Sequence, residues 1–147
     1  MKTLLILPLL VLFCIPAHTQ YDNMPEVLDQ AFYEKYPDAE SAYWYLDDDY
    51  YRIEFELALD SYSALFTQQG KWYETAKVIS DSEVPAKVLS AVSVKCPDCE
   101  LSYCEWVEKE NNESFYRMNS YTDNAYFVMD INREGALISS QKQAINY

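Results

Sequence analysis

The feature that most constrains this chain is that it aligns with itself. Shifted by 60 residues, Met24–Glu40 (MPEVLDQAFYEKYPDAE) falls on Val84–Glu100 (VPAKVLSAVSVKCPDCE) with six identities in 17 positions. Pro25/Pro85, Ala31/Ala91, Lys35/Lys95, Pro37/Pro97, Asp38/Asp98 and Glu40/Glu100 coincide. After Tyr45 the shift becomes 65, placing Tyr51-Arg52-Ile53 on Tyr116-Arg117-Met118, Phe66 on Ile131 and Gly70 on Gly135. The five extra residues fall around Glu108–Glu113, where a loop tolerates insertion. The expectation is two copies of one unit, over residues 20–80 and 81–147, because self-similarity at a fixed period marks a repeated supersecondary structure.

Each copy reads as one helix followed by antiparallel strands. Pro25 and Pro85 suit the first helical position, where the missing N–H has no intrahelical partner to lose. Val27, Leu28, Ala31, Phe32 and Tyr36 form an apolar helical stripe, and Pro37 and Pro97 stop the helices. In Tyr50–Leu57, Tyr51, Ile53, Phe55 and Leu57 alternate with Arg52, Glu54 and Glu56, which predicts a strand wet on one face only. Ser61–Thr67, Lys71–Ile79, Glu100–Glu108, Phe115–Tyr121, Ala125–Ile131 and Ala136–Gln141 are the other strand candidates. Gln69-Gly70, Glu134-Gly135 and Asp47-Asp48-Asp49 read as hairpin turns. A unit of about 60 residues is marginal alone. Two should merge into one α+β body, a roughly eight-stranded sheet with both helices on one face. Ile79–Val84 is the joint, too short for a free linker.

These residues resemble a known family. A proline-led helix, Lys-Tyr-Pro-Asp-Ala at 35–39 and Gly-Lys-Trp-Tyr-Glu at 70–74 are similar to the PepSY-like family of secreted bacterial proteins, also called beta-lactamase-inhibitor-like. The similarity spans about residues 24–141. It departs in the second copy, where Cys96 and Cys99 replace tyrosine and alanine. The resemblance implies a periplasmic or secreted, non-enzymatic module and names no ligand.

The N-terminus supports that address. Met1-Lys2, the 13-residue apolar run Thr3–Ile15 and the small residues Ala17 and Thr19 match a secretory signal peptide over residues 1–19. The run is short of the ~20 residues of a membrane span and contains Pro8, so no membrane anchor is expected. Phe13 before Cys14 argues against a lipid anchor. Cleavage after Thr19 removes Lys2 and the only histidine, leaving ten basic against 24 acidic residues and a net charge of −14. Such a charge disfavours nucleic acid as a partner. With no histidine there is no Ser-His-Asp machinery, and two glycines build no phosphate loop, so no catalytic residue and no cofactor is expected.

Three constellations remain. Cys96-Pro97-Asp98-Cys99, with Cys104 nearby, invites a thiol-oxidoreductase reading through Cys96 and Cys99. The alignment puts Cys96 at a helix C-terminus, however, where the dipole disfavours a thiolate. A structural disulfide among Cys96, Cys99 and Cys104 is expected instead, with the pairing open. The acidic run at 47–49 lacks alternating Ca²⁺-ligand spacing and reads as a solvated turn, so no metal is expected. Most tyrosines and tryptophans fall on strands, and alternation sends about half to a sheet face without helices. There they, Tyr73 among them, would stand beside Arg52, Glu54, Glu56 and Arg117 as a binding face, since Tyr, Trp and Arg are favoured at protein interfaces, or else merely stiffen the sheet. Arg52 and Arg117, equivalent across the copies, could equally neutralise Glu54 or Glu56. The function expected is an exported non-enzymatic module binding a protein or peptide. A structural or sensory envelope domain is the alternative.

Overall fold

The computed structural model describes residues 23–145. The expected signal peptide at 1–19 lies outside these residues. Helix α1 (Glu26–Lys35) precedes strands β1 (Glu40–Asp47), β2 (Tyr50–Leu57), β3 (Asp60–Thr67) and β4 (Trp72–Ile79). A short 3₁₀ turn (Asp81–Glu83) leads into α2 (Ala86–Lys95), then β5 (Glu100–Lys109), β6 (Ser114–Thr122), β7 (Ala125–Ile131) and β8 (Leu137–Ala144). All eight strands form one antiparallel sheet in chain order, β1 and β8 being its edges. Neither described helix is long and apolar enough to cross a membrane.

Tyr50–Leu57 and Ala125–Ile131 are strands at the expected bounds, and the ends of the other expected strands move by at most three residues. The five-residue difference between the halves is spread out. β5 is two residues longer than β1, β6 is one longer than β2, and the Glu110–Glu113 turn has two more residues than Asp48-Asp49. The β2–β3 turn, Ala58-Leu59, was invisible to turn chemistry. Both residues have positive φ (53° and 72°) without being glycine or asparagine, and Leu59 is 99% exposed. The tight two-residue connection enforces that backbone.

Each helix is seated on strands by the same device. α1 buries Leu28 and Phe32 against Ile53, Phe55, Ala64 and Phe66; Val27, expected in the stripe, is half exposed. α2 buries Val88 and Val92 against Cys104, Met118, Met129 and Ile131. In both, the residue after the last helical turn (Tyr36, Cys96) donates its backbone N–H to a carbonyl four residues back (Phe32, Val92). Gly70 and Gly135, both at φ above +80°, bring a hairpin turn against the first helical turn. A Cβ on Gly70 would lie 2.8 Å from the Val27 carbonyl oxygen, and one on Gly135 would lie 2.8 Å from that of Lys87.

The helix ends are anchored differently. The Tyr36 hydroxyl hydrogen-bonds Thr75 Oγ1, which also accepts from Trp72 Nε1 at 2.8 Å. Burial pushes the Tyr36 phenol up to about 12, with the Thr75 bond acting in the other direction. In the second half Cys96 and Cys99 form a disulfide across the turn between α2 and β5. This settles the open pairing. Cys104 stays a free, buried thiol that donates to Asp81 at 3.7 Å, and burial pushes it up to about 12.

Candidate functional site

Strand residues that alternate with the helix-packed ones line a concave hollow of about 960 Å³. It draws on all eight strands, from Tyr43 and Tyr45 of β1 to Ser139 and Gln141 of β8. All four residues singled out in the sequence, Arg52, Glu54, Tyr73 and Arg117, line it. The alternation that buries Ile53 and Phe55 turns Arg52 and Glu54 into the hollow. Tyr73 stands at an irregularity, because Leu65 pairs with Glu74 while Phe66 pairs with Trp72. That bulge leaves Tyr73 without a partner in the β3–β4 register and sets its ring 4.8 Å from that of Tyr50.

The floor of the hollow is charged and partly closed. Arg117 donates Nε to Asp130 at 2.9 Å and a terminal nitrogen to Glu74 at 2.7 Å. The Glu74 side chain is 5% exposed and that of Arg117 18%. Burial alone would lower the guanidinium pKa, but the hydrogen bonds and charges of Asp130 and Glu74 outweigh it and raise it. Lys109 stands 4.0 Å from Glu74 and donates to the Tyr73 hydroxyl at 3.4 Å. Beneath these cations lies a small apolar cluster, Ala76, Val107 and Phe115, with the Arg117 and Lys109 heads over the Phe115 ring.

The two arginines do not neutralise Glu54 or Glu56, as the sequence allowed. Arg52 pairs with Asp47 at 2.7 Å, and Glu54 instead accepts from the Tyr45 hydroxyl at 2.9 Å. The reason is register: Tyr45 lies opposite Arg52, so the flanking Asp47 at the strand end reaches the guanidinium. Nor are the arginines alike. The Arg52 pair is the more open to water, since its acid Asp47 is 40% exposed, whereas Glu74 and Asp130 on Arg117 are 5% and 15% exposed. Toward β7, Asn119 donates to Glu105 at 3.0 Å and accepts from the Tyr126 hydroxyl at 3.0 Å. Burial raises the Glu105 carboxyl pKa, with the Asn119 bond and the positive charge of Arg117 acting in the other direction.

Sequence reasoning missed Glu74, Glu105 and Asn119, all brought in by register between distant strands. The tyrosine excess was the available signal: Tyr43, Tyr45, Tyr73, Tyr103 and Tyr126 all line the hollow. Cys96 and Cys99 do not contribute, lying at the end of α2. Among the described residues no group of three or more His, Cys, Asp or Glu side chains is arranged to hold a metal ion.

The sequence matches no protein-family model and no curated protein. Solved structures do match. A DUF2874 family protein from Bacteroides uniformis superposes with a TM-score of 0.70 at 19% identity, covering 81% of this chain and 89% of its own. A putative periplasmic protein from Bacteroides eggerthii has a TM-score of 0.70 at 19% identity, with 82% and 89% covered. A BLIP-like protein from Bacteroides fragilis has a TM-score of 0.66 at 14% identity, covering 86% of this chain and 92% of that one.

The fold is BLIP-like.

At these identities the likeness concerns backbone architecture alone. The BLIP-like sheet accounts for the shape of the site, since successive antiparallel strands twist and coil, and eight in a row make one side concave. What fills that concavity is set by this chain's own side chains.

Proposed function

We propose that this protein is an exported, non-enzymatic module that binds a protein or peptide through the hollow of its sheet. The observation that carries this reading is the hollow itself. A concavity of about 960 Å³ is lined by six tyrosines, with Arg52 held by Asp47, Glu54 by the Tyr45 hydroxyl and Tyr73 by Lys109. Tyr and Arg combine large contact area with directed hydrogen bonds, which is why they dominate binding energy where they are desolvated. A signal-peptide-like N-terminus and the putative periplasmic neighbour support a periplasmic or secreted address.

The same reading takes the chain as two tandem PepSY-like copies with both helices on one sheet face. Support comes from the matched glycine contacts and from the register. Ile53 is opposite Ala64, Ala64 opposite Thr75, and Ile79 opposite Cys104, which carries one sheet side from the α1 contacts to the α2 contacts. The Cys96–Cys99 disulfide is assigned to the fold. Cys96 caps the C-terminal end of α2, where the helix dipole opposes a thiolate.

Capture from the native envelope tests the binding reading. Wild type should retain a partner that Tyr43→Ala with Arg52→Ala loses, because these two side chains touch the hollow without holding its buried floor. If the double variant keeps every captured protein, the hollow is not the binding surface. A structural domain without ligand is then the better account, favoured by one feature: the Arg117, Glu74 and Asp130 charges are already paired with one another.

A further inference from the structure

The two edges of the sheet are built differently. Any edge strand presents a row of unpaired N–H and C=O groups, and soluble proteins blunt such edges with bulges, charges or cover. β1 is blunted. Ser41 has positive φ (53°), the β1–β2 register breaks between Glu40 and Tyr43, and acids stand at both ends, Glu40 and Asp47. Ala42 and Trp44 also tuck into the α1 cluster.

β8 carries fewer of these devices along Leu137–Ala144 (LISSQKQA), one register break at its start and one lysine. All eight residues are exposed, the backbone has no positive φ, and the only register break with β7 lies at its first residues, between Asp130 and Ile131. The strand has no proline and no acid, in a chain with 24 acids and a net charge of −13. Its one charge, Lys142, leans over the Phe127 ring of its own sheet at 5.4 Å. Leu137 and Ile138 are exposed at 36% and 56%, and Val94 of α2, 78% exposed, shares a shallow groove with Leu137.

We propose that the β8 edge is a self-association surface, on which a second copy of this chain adds its own β8 antiparallel across a two-fold axis. Another strand is the partner whose backbone pairs the alternating donors and acceptors of an edge directly, in place of water. The second copy is the occupant that the charge distribution favours. Two molecules this acidic repel over most of their surfaces, and an acid-free edge strand lets their backbones approach without opposed carboxylates. A two-fold arrangement is also self-complementary by construction, each exposed apolar group meeting its own equivalent. The hollow is not used up by this contact, so dimerisation and binding are separable.

Sedimentation equilibrium of the purified protein from micromolar to millimolar concentration tests the proposal, with amide hydrogen exchange read at low and high concentration. A monomer–dimer equilibrium is expected, with concentration-dependent protection confined to Leu137–Ala144. Ser140→Glu with Lys142→Glu places acids along the strand on the face away from the hollow, which Ser139 and Gln141 line. It should weaken the dimer by about tenfold or more while leaving the circular dichroism spectrum unchanged. Leu46→Glu, an exposed residue on the β1 edge, should leave the dimer constant unchanged. A wild type that stays monomeric to millimolar concentration overturns the proposal. So does an undiminished dimer of the β8 variant, or protection that appears elsewhere in the sheet.

Discussion

At the residue scale, positions that align perfectly in sequence have diverged in physics. Arg52 and Arg117 occupy equivalent strand positions, yet one pairs with a half-exposed Asp47 and the other with the buried Glu74 and with Asp130. An exposed ion pair contributes about 0–1 kcal/mol, and removing one partner from a buried pair costs about 3–5 kcal/mol. Arg117→Ala should therefore lose several kcal/mol in urea unfolding while Arg52→Ala loses less than about 1 kcal/mol. Equal losses would mean that the two networks are equally solvated. Glu105 offers a test by pH. Burial raises its carboxyl pKa in the folded state, so its ionised form opposes folding. That penalty is absent below the unfolded value of about 4.3 and develops as pH rises through the folded value. Glu105→Gln should thus be more stable than wild type at pH 7, with the gap closing at pH 4. A gap independent of pH would assign the effect to packing.

At the scale of elements, each half fastens its helix twice, once at each end. The N-terminal fastening is common to both halves and depends on glycine. At Gly70 and Gly135 the φ values of +81° and +86° and the 2.8 Å approach to a helix carbonyl both exclude a Cβ. Gly70→Ala and Gly135→Ala should each lose about 2 kcal/mol or more, from left-handed strain and the displaced helix turn. The C-terminal fastening differs: Tyr36 uses a ring and a hydrogen bond, and the second half uses a covalent link. Closing so short a loop restricts the unfolded chain only modestly, so reduction or Cys96→Ser with Cys99→Ser should cost about 1–2 kcal/mol. The variant should keep its hollow and any partner captured through it. Loss of that partner without loss of fold would give the disulfide a functional role.

At the scale of the molecule, the junction between halves is a strand pair. β4 and β5 run antiparallel with six residue pairs, Glu74–Lys109 through Ile79–Cys104, although α2 intervenes in the chain. The buried Arg117–Glu74 pair crosses the same seam. Heat or urea should therefore unfold the protein in one transition, with calorimetric and van't Hoff enthalpies equal. A chain ending at Ser80 should be largely unfolded, because it exposes the β4 edge and forfeits the pairing with β5. A folded fragment would show that each half is an independent domain.

Most elements and turns were legible in the sequence because they rest on local rules. Alternation in Tyr50–Leu57, proline at helix starts and glycine at left-handed turns each act within a few residues. Alternation likewise placed Arg52 and Glu54 on one side of β2, whereas the placing of Tyr73 depends on the bulge between β3 and β4. The Ala58-Leu59 turn was not legible, since its backbone is imposed by the strands it joins. Partner choice was not legible either. That Arg117 meets Glu74, 43 residues away, and that Cys99 rather than Cys104 takes Cys96, depend on register and on the path of the chain in space. By itself the sequence determined which segments are helix and strand and which side of each strand is apolar, because a side chain's direction follows from its own backbone. Only the tertiary structure decided that the sheet curls into a hollow, which charges lie paired on its floor, and which edge is left open. Twist accumulates over eight strands, and burial of a charge depends on everything packed around it.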